Sequence, residues 1–276
     1  MEVFKIYKKL EKHLNDRENV GFVPTMGALH RGHLSLIKRS LADNPQTVVS
    51  IFVNPTQFDD SADLQRYPRT LAKDLELLQT LGAKLWVYTP EAADLYGESL
   101  AVGEYDFGAL TKTMEGRSRH QHFEGVATVV EKLLRKVGPT KAYFGEKDFQ
   151  QVRVIETLVA QKNLQTQIIR SPIVREANGL AMSSRNALLT TEERAQAGLL
   201  YQTLQAAKTK FKTQSIDQIH QWVQDVFNKN PQFTLDYFSI CDEKHLQEIK
   251  NPIGGIPRGF IAAKLGNIRL IDNLSF

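Results

Sequence analysis

Cysteine is almost absent from this sequence, and long apolar runs are absent as well. Its 276 residues include one cysteine, Cys241, so no disulfide can form within the chain and a secreted scaffold held by disulfides is excluded. No apolar run reaches the roughly 18 residues that a membrane-spanning helix needs. Residues 1–18 are charged throughout and lack the apolar core of a signal peptide. We therefore expect a chain that works in the cytoplasm.

Blocks of like charge are absent too. The net charge is +4, from 35 Lys and Arg against 31 Asp and Glu, and these charges are spread along the chain. Nucleic-acid binding usually needs clustered positive charge, so we expect no nucleic-acid partner. Hydrophobic residues make up 42% and charged residues 24%, which is ordinary globular composition and excludes a disordered tail protein. Scattered cations can serve a small anionic ligand instead.

Strand and helix patterns alternate along residues 1–176. Apolar runs of strand length occur at 20–24, 47–53, 84–88, 141–144 and 167–171. Helical spacing of apolar residues lies between them, most clearly over 126–137, where Gly138 and Pro139 end the pattern. This alternation predicts an α/β fold, a Rossmann-like parallel sheet with helices on both faces. Residues 1–18 are predicted to form an amphipathic surface helix.

The pattern changes after residue 176. Helices are predicted over 190–211, capped by Thr191, and over 215–228. A strand is predicted at 233–241, followed by a pair of strands at 259–265 and 268–274. Gly266 and Asn267 between that pair are typical of a two-residue hairpin turn. We therefore predict that residues 177–276 form a smaller C-terminal α+β domain.

The histidine segment, residues 24–33, follows a predicted strand and opens a predicted helix. The start of a helix presents unpaired N–H groups and a positive dipole end, which suits phosphate. His30 and His33 are three residues apart and can project the same way, while Gly27 and Gly32 allow close approach of a ligand. The segment predicts a cradle for a nucleotide triphosphate. The alternative is that the histidines only cap the helix or pack.

Two further segments carry cations beside turns. Residues 144–151 lie between a strand and a helix, and Lys147 in this turn is suited to a phosphate oxygen. Residues 182–186 combine two serines with Arg185, a set that can hold a triphosphate as a clamp. The alternatives are a solvated turn lysine in the first segment and a polar interdomain loop in the second.

The remaining candidates lie outside these segments. Gln57 lies in the segment 52–58, and a neutral amide can orient a hydroxy acid without neutralising its carboxylate; a loop glutamine on water is the alternative. Asp74 is either a metal-side acid or part of a charged helix face. An anion rim or a solvated loop is indicated by Arg117, Arg119, His120 and His122. Spacing typical of metal ligands and of a nucleophile elbow is absent.

Taken in this order, the motifs resemble those of the pantothenate synthetase (pantoate–β-alanine ligase) family, which belongs to the His-x-Gly-His nucleotidylyltransferase-like superfamily. The resemblance rests on residues 23–33, 50–58, 67–69, 144–151 and 182–186, and it spans nearly the whole chain. It implies an ATP-dependent ligase that condenses (R)-pantoate with β-alanine through a pantoyl-adenylate and releases AMP and pyrophosphate. An adenylyltransferase of the same superfamily, without the amide-forming step, is the alternative.

The resemblance also implies the partners and the domain roles. ATP and Mg²⁺ are expected with pantoate and β-alanine, and the chain is expected to form a homodimer. Residues 1–176 would bind ATP and pantoate, and residues 177–276 would close over the site. At 119–123 the chain departs from the family, because His120 stands where the family has proline.

Individual site residues follow from the same resemblance. His33 is the expected catalytic histidine, with His30, Lys147 and Arg185 beside it on the phosphates. The expected pantoate-binding pair is Gln57 and Gln151, with Asn54 nearby. The expected ATP-binding residues are Met26, Gly27, Ala28, Leu29, His30, Arg31, Gly32, His33, Gly145, Glu146, Lys147, Asp148, Val174, Met182, Ser183, Ser184 and Arg185.

Overall fold

A computed structural model describes residues 1–14, 19–82, 84–249 and 255–276, which form two units. The first unit comprises Met1–Phe107, Arg119–Glu146 and Gln151–Pro172. The second comprises Gly108–Ser118, Lys147–Gln150 and Ile173–Phe276. The domains at 1–176 and 177–276 stay a prediction. The second unit differs from the predicted C-terminal domain because it begins at Ile173 and also includes the two earlier segments.

The first unit is built on a parallel sheet. Its strands are β1 (Glu2–Phe4), β2 (Val20–Thr25), β3 (Gln46–Ile51), β4 (Leu85–Tyr88), β5 (Lys141–Gly145) and β6 (Gln167–Ser171). Neighbouring strands run parallel in the order β1-β4-β3-β2-β5-β6, so the predicted Rossmann-like sheet is confirmed. The chain order reverses between β2 and β5, and ligands of such sheets bind beyond the strand carboxyl ends at this switch point. The histidine segment leaves β2 at that place.

Helices lie between these strands along the chain, and one of them, Met114–Ser118, belongs to the second unit. They are α1 (Tyr7–Glu11), α2 (Arg31–Asp43), α3 (Ser61–Arg66), α4 (Leu71–Gln79), α5 (Ala92–Tyr96), α6 (Met114–Ser118), α7 (His122–Val137) and α8 (Phe149–Gln161). Gly138 ends α7 in the left-handed region with φ 57°, as the sequence predicts. Ile37, Val49 and Leu78 are fully buried in one core, and burial of each such side chain stabilises the fold by about 1.5–3 kcal/mol.

The predicted helix over residues 1–18 is wrong at its start. Glu2–Phe4 pairs with β4 as the edge strand β1, and helix α1 covers only five residues after it. A three-residue edge strand is stabilised by backbone pairing and by burial of Phe4, and it needs no apolar alternation of its own. The apolar spacing of the segment therefore spans two different elements. The last four residues of the prediction, 15–18, lie outside the described residues.

The second unit contains an antiparallel sheet. Its strands β7 (Phe233–Asp242), β8 (Pro257–Leu265) and β9 (Ile268–Ser275) pair in that order, and Gly266 turns the predicted hairpin with φ 55°. Helices α9 (Thr191–Gln196), α10 (Leu199–Lys210) and α11 (Ile216–Asn228) accompany the sheet. Leu204, Val223 and Ile261 are fully buried in the core of this unit. The predicted smaller α+β unit is confirmed.

Two details of the predicted 190–211 helix are corrected. The N-cap is Thr190, not Thr191, because Thr190 Oγ1 accepts the N–H of Glu193 (3.2 Å) and the Glu193 carboxylate accepts the N–H of Thr190 (2.8 Å). The helix is also divided into α9 and α10 at residues 197–198. A side chain at Gly198 would lie 2.3 Å from the carbonyl oxygen of Asn178, so the close approach requires glycine.

None of the helices in the described ranges is both long and apolar enough to cross a membrane.

Candidate active site

The histidine segment begins with a tight turn after β2. Thr25 Oγ1 donates to the carbonyl of Ser50 (2.8 Å) and accepts the N–H of Gly27 (3.2 Å). Gly27 has φ 80° and Ala28 has φ 48°, so two successive residues lie in the left-handed region. A Cβ at Gly27 would lie 3.0 Å from Asp74 Oδ2. The turn therefore needs glycine at 27, both for its conformation and for the close approach of this carboxylate.

His30 and His33 form a reciprocal cap at the start of α2. The N–H of Gly32 donates to His30 Nδ1 (3.1 Å), and the N–H of His30 donates to His33 Nδ1 (3.3 Å). The ring centroids are 4.0 Å apart, with 30° between the planes. Since a backbone N–H only donates, both Nδ1 atoms are unprotonated acceptors. In the neutral rings the proton is on Nε2, which is the donor that each imidazole offers.

The two interpretations of these histidines are therefore compatible. The cap uses Nδ1 and fixes each ring, while Nε2–H is the group suited to an anion. An N-terminal helix end with two fixed N–H donors is an arrangement that can stabilise charge building on a phosphate.

Gln57 lies at the end of the 3-10 helix Pro55–Gln57, which follows β3. It is 7% exposed, so the alternative of a loop glutamine on water does not hold. Asn54 Nδ2 donates to Gln57 Oε1 (3.2 Å), and Gln57 Nε2 donates to Met26 Sδ (3.0 Å). These contacts bring three predicted site residues together in the first unit.

Asn54 is itself held by buried groups. Its Nδ2 also donates to the carbonyl of Gly125 (3.1 Å), and Tyr96 donates to its Oδ1 (2.6 Å). Burial raises the pKa of the Tyr96 phenol, so this hydroxyl stays protonated and donates. Asn54 therefore orients the Gln57 amide instead of facing solvent.

The sequence predicts an anion rim or a solvated loop for His122, and the structure places this residue inside the first unit. It is 6% exposed, and its Nδ1 lies 2.9 Å from the carbonyl oxygen of Gln57. Arg119 Nη1 lies 3.1 Å from His122 Nε2, so Nε2 accepts and Nδ1 carries the proton. The pair therefore fixes the backbone of Gln57. His120, at the position where the family has proline, is exposed.

A sequence signal for this contact exists in α7. A Cβ at Gly125 would lie 2.2 Å from the carbonyl oxygen of Thr56, so the glycine marks where the helix passes close to the 3-10 turn. His122 is three residues before it on the same helix and faces the same turn.

The other predicted residues of the first unit follow β5. Gly145 ends that strand on the far side of the switch point from β3, and Glu146 begins the next turn. Gln151 lies in the first turn of α8 and is half-buried. The predicted strand-to-helix connection is present here, with Gly145 as the last residue of the strand instead of the first of the turn, and the roles of the three residues stay predictions.

Lys147 and Asp148 belong to the second unit. Lys147 Nζ lies 3.3 Å from Asp148 Oδ1, and the carbonyl of Lys147 accepts from Asn273 Nδ2 (2.9 Å). Asn273 is buried and accepts from Arg258 Nη1 (2.5 Å). Strand β9 thus fixes the backbone at Lys147, a partner 126 residues away that sequence reasoning missed.

The segment 174–186 is an ordered part of the second unit. The N–H of Met182 donates to the carbonyl of Val174 (2.9 Å), and Ser183 Oγ accepts the N–H of Arg185 (3.3 Å) to cap the 3-10 helix Ser184–Leu188. Arg175 pairs with Asp272 through two bonds of 2.5 and 2.9 Å. Burial raises the pKa of Asp272, and Arg175 opposes this by favouring the carboxylate.

The sheet and the histidine pair define the class of protein. An open parallel sheet with anion donors at the helix that leaves its switch point is the architecture of a nucleotide-binding α/β enzyme. The chain belongs to the pantoate–β-alanine ligase family, because the family model described as Pantoate-beta-alanine ligase matches residues 2–275.

Known proteins resemble the chain along its length. It is 48% identical to the pantothenate synthetase of Flavobacterium psychrophilum, over 96% of this chain and 95% of that protein. It is 45% identical to the pantothenate synthetase of Christiangramia forsetii, over 100% of this chain and 99% of that protein. The crystal structure of pantothenate synthetase from Thermus thermophilus superimposes with a TM-score of 0.93 at 40% identity, covering 99% of both chains.

A further crystal structure that is similar to the chain is that of a ligand complex. It is the pantoate–β-alanine ligase of Francisella tularensis complexed with β,γ-ATP and β-alanine, with a TM-score of 0.81, 33% identity, and coverage of 100% of this chain and 97% of that one. The predicted family and the predicted ligase activity are confirmed, and the adenylyltransferase alternative is not supported. The roles of the individual site residues stay predictions.

Proposed function

We propose that the chain joins pantoate to β-alanine at the histidine pair, with ATP activating the acid. The observation that carries this proposal is the cap at the start of α2, which leaves Nε2 of His30 and His33 as the protonated nitrogens. The acid and the nucleotide are both anionic, so a site for their reaction must supply positive ends. Two fixed N–H donors at a helix N-terminus supply them.

The first step forms an acyl-adenylate. A carboxylate oxygen of pantoate attacks the α-phosphorus of ATP, and the bond to the pyrophosphate oxygen breaks. At about 4 Å, two unit charges repel by roughly 4 kcal/mol at an effective dielectric constant near 20. The imidazole donors and the helix end offset this repulsion most where charge builds, on the α-phosphate and the leaving pyrophosphate. Catalysis is then mainly positioning and charge stabilisation.

The second step forms the amide. The free amine of β-alanine attacks the acyl carbon, the bond to the AMP oxygen breaks, and the amine nitrogen loses a proton. We assign Gln57 and Gln151 to pantoate, with Gln57 also beside β-alanine. The support is the buried amide of Gln57, oriented by Asn54 and backed by His122. A neutral amide orients the substrate while leaving its carboxylate nucleophilic.

We assign the cations Lys147 and Arg185 to the phosphates of ATP. The support is the family resemblance of residues 144–151 and 182–186, together with the backbone contacts that order each of these segments. Lysine acts on phosphate as a compact point charge, and arginine can bind two oxygens at once.

Mg²⁺ is not provided with a cluster of protein ligands among the described residues. In those ranges, no group of three or more His, Cys, Asp or Glu side chains could hold a metal ion. Mg²⁺ commonly binds through substrate phosphates and waters with few protein ligands. We therefore propose that Mg²⁺ enters as the ATP complex, and we assign no step of the reaction to it.

We further propose that the enzyme acts in the cytoplasm as a homodimer without a nucleic-acid partner. The location is supported by the use of ATP and by a buried, unpaired Cys241. The dimer is supported by the family resemblance, and the dispersed charge argues against polynucleotide binding. Sedimentation equilibrium that gives the mass of one 31.3 kDa chain would contradict the dimer.

An omission assay tests the reaction. With ATP, pantoate and β-alanine present, AMP release is expected, and leaving out any one of them should abolish it. Exchange of labelled pyrophosphate into ATP should require pantoate but not β-alanine, because the adenylate forms first. AMP release that continues without β-alanine at the full rate would contradict the amide-forming step.

Gln57→Ala is expected to weaken pantoate binding and to leave nucleotide binding unchanged. Loss of a hydrogen bond to a charged ligand costs about 1.5–3 kcal/mol, which is roughly a 10- to 150-fold rise in the Kd of pantoate. Separate calorimetric titrations with pantoate and with a non-hydrolysable ATP analogue measure the two effects. Gln79→Ala, at an exposed amide in α4, is the matched control. Equal losses for both ligands would count against the assignment.

A further inference from the structure

Asp74 is a buried carboxylate that the proposed reaction does not use. It lies in α4, is 3% exposed, and faces the histidine segment from 45 residues away in sequence. A buried carboxylate is stable only where donors surround it. The donors here are backbone N–H groups: Ala28 donates to Oδ2 (3.0 Å) and Leu29 donates to Oδ1 (2.8 Å).

A third contact orients the carboxylate. Thr70 Oγ1, at the N-cap of α4, donates to Asp74 Oδ1 (3.2 Å). Both carboxylate oxygens therefore accept hydrogen bonds, which fixes the plane of the group. Gly27 has no side chain, and this allows Oδ2 to lie against the turn.

The two backbone bonds hold a conformation that is otherwise unfavourable. Ala28 has φ 48°, and a residue with a Cβ is destabilised in the left-handed region. The bonds from Ala28 and Leu29 offset that cost and set the direction in which the chain enters α2. His30 follows directly as the N-cap, and its N–H fixes His33. Asp74 thus acts on both imidazoles through the backbone.

We infer that Asp74 is a positioning residue, which fixes the left-handed turn at Ala28 and thereby the orientation of the His30–His33 pair toward the nucleotide. This inference rests on the proposed function of the histidine pair. The N–H groups of Ala28 and Leu29 point at Asp74, so these two amides cannot also donate to an anionic ligand. The inference therefore assigns the anion-donor role in this segment to the imidazoles and to the first turn of α2.

Asp74→Asn tests the inference with little change in shape. Its amide nitrogen would face a backbone N–H, so one of the two bonds is lost. We expect kcat for pantoate-dependent pyrophosphate exchange to fall at least 10-fold, with the KM for pantoate within twofold of that of the unchanged protein. Glu76→Gln, at an exposed carboxylate two residues away on α4, removes the same charge and should leave exchange unchanged.

A double-variant cycle separates positioning from other roles. Glycine adopts the left-handed region without strain, so the Asp74→Asn loss should be at least threefold smaller in the Ala28→Gly background than in the natural one. Equal losses in both backgrounds would overturn the inference. Recovery of Asp74→Asn by raised Mg²⁺ would assign the residue to metal binding, and a fall in melting temperature that accounts for the lost activity would assign it to stability; either result overturns it.

Failure of the proposed function gives a different outcome. If the unchanged protein showed no pantoate-dependent exchange at all, the proposed function would fail before any variant was compared. An active unchanged protein with a fully active Asp74→Asn variant would overturn the positioning role alone.

Discussion

His33→Ala is expected to slow adenylate formation about 100- to 1,000-fold, the effect of removing one oriented donor worth roughly 2.7–4 kcal/mol of barrier. The substitution removes the protonated Nε2 and also the Nδ1 that accepts the N–H of His30. Loss of a helix cap costs about 0.5–2 kcal/mol of stability, so the fold should persist. Single-turnover formation of pantoyl-adenylate measures the chemical loss, and thermal unfolding measures the stability.

Two further substitutions separate the two nitrogens of His33. Asparagine places an acceptor near the position of Nδ1, so His33→Asn should keep the cap and lose the donor. Glutamine reaches farther and places an N–H near the position of Nε2, so His33→Gln should keep part of the catalytic effect. We expect adenylate to form faster with glutamine than with asparagine, while the asparagine variant melts at the higher temperature.

This comparison decides which role of the histidine matters. If the asparagine variant formed adenylate at near the natural rate, the imidazole would serve as a cap only, and the proposed donor role would fall. Ring nitrogen chemical shifts provide an independent measurement, because they distinguish a proton on Nε2 from one on Nδ1. A proton on Nδ1 in the ligand-free enzyme would contradict the hydrogen-bond geometry of the cap.

The sheet could be predicted because its strands carry their own local signals. Val48 and Val49 in β3 and Leu85 and Val87 in β4 lie in short apolar runs, as expected for strands buried on both faces. Turn chemistry is local as well, and Gly266 ends one strand of the hairpin as predicted. β1 carries no comparable signal, since a three-residue edge strand is defined by the strand that it pairs with.

The supports of the site could not be predicted, because they depend on contacts between residues distant in the chain. Asp74 meets the histidine segment across 45 and 46 residues, and His122 meets Gln57 across 65. The proton positions are also a tertiary property, since His30 and His122 carry opposite neutral forms according to whether Nδ1 faces an N–H or a carbonyl. The motifs predict which residue types contact ligands, and the fold determines how these residues are oriented.

Lys147→Ala is expected to raise the barrier to adenylate formation by about 2–4 kcal/mol, a roughly 30- to 1,000-fold slower step, because on the proposed assignment it removes a cation from the phosphates as negative charge shifts to pyrophosphate. The backbone of Lys147 should stay in place, since Asn273 binds its carbonyl and not its side chain. Near-natural melting temperature with a large loss of single-turnover rate is therefore the expected pair of results.

The control and the conservative variant test whether charge at this position is the cause. Lys38→Ala removes an exposed lysine from α2 and should leave the rate unchanged, which excludes an effect of net charge alone. Lys147→Arg keeps the charge but replaces a compact ammonium by a planar, forked group, so its rate should lie between those of the alanine variant and the natural enzyme. An arginine variant as slow as the alanine variant would indicate that the shape of the side chain matters more than its charge. An alanine variant with the natural rate would contradict the proposed role of Lys147 in catalysis.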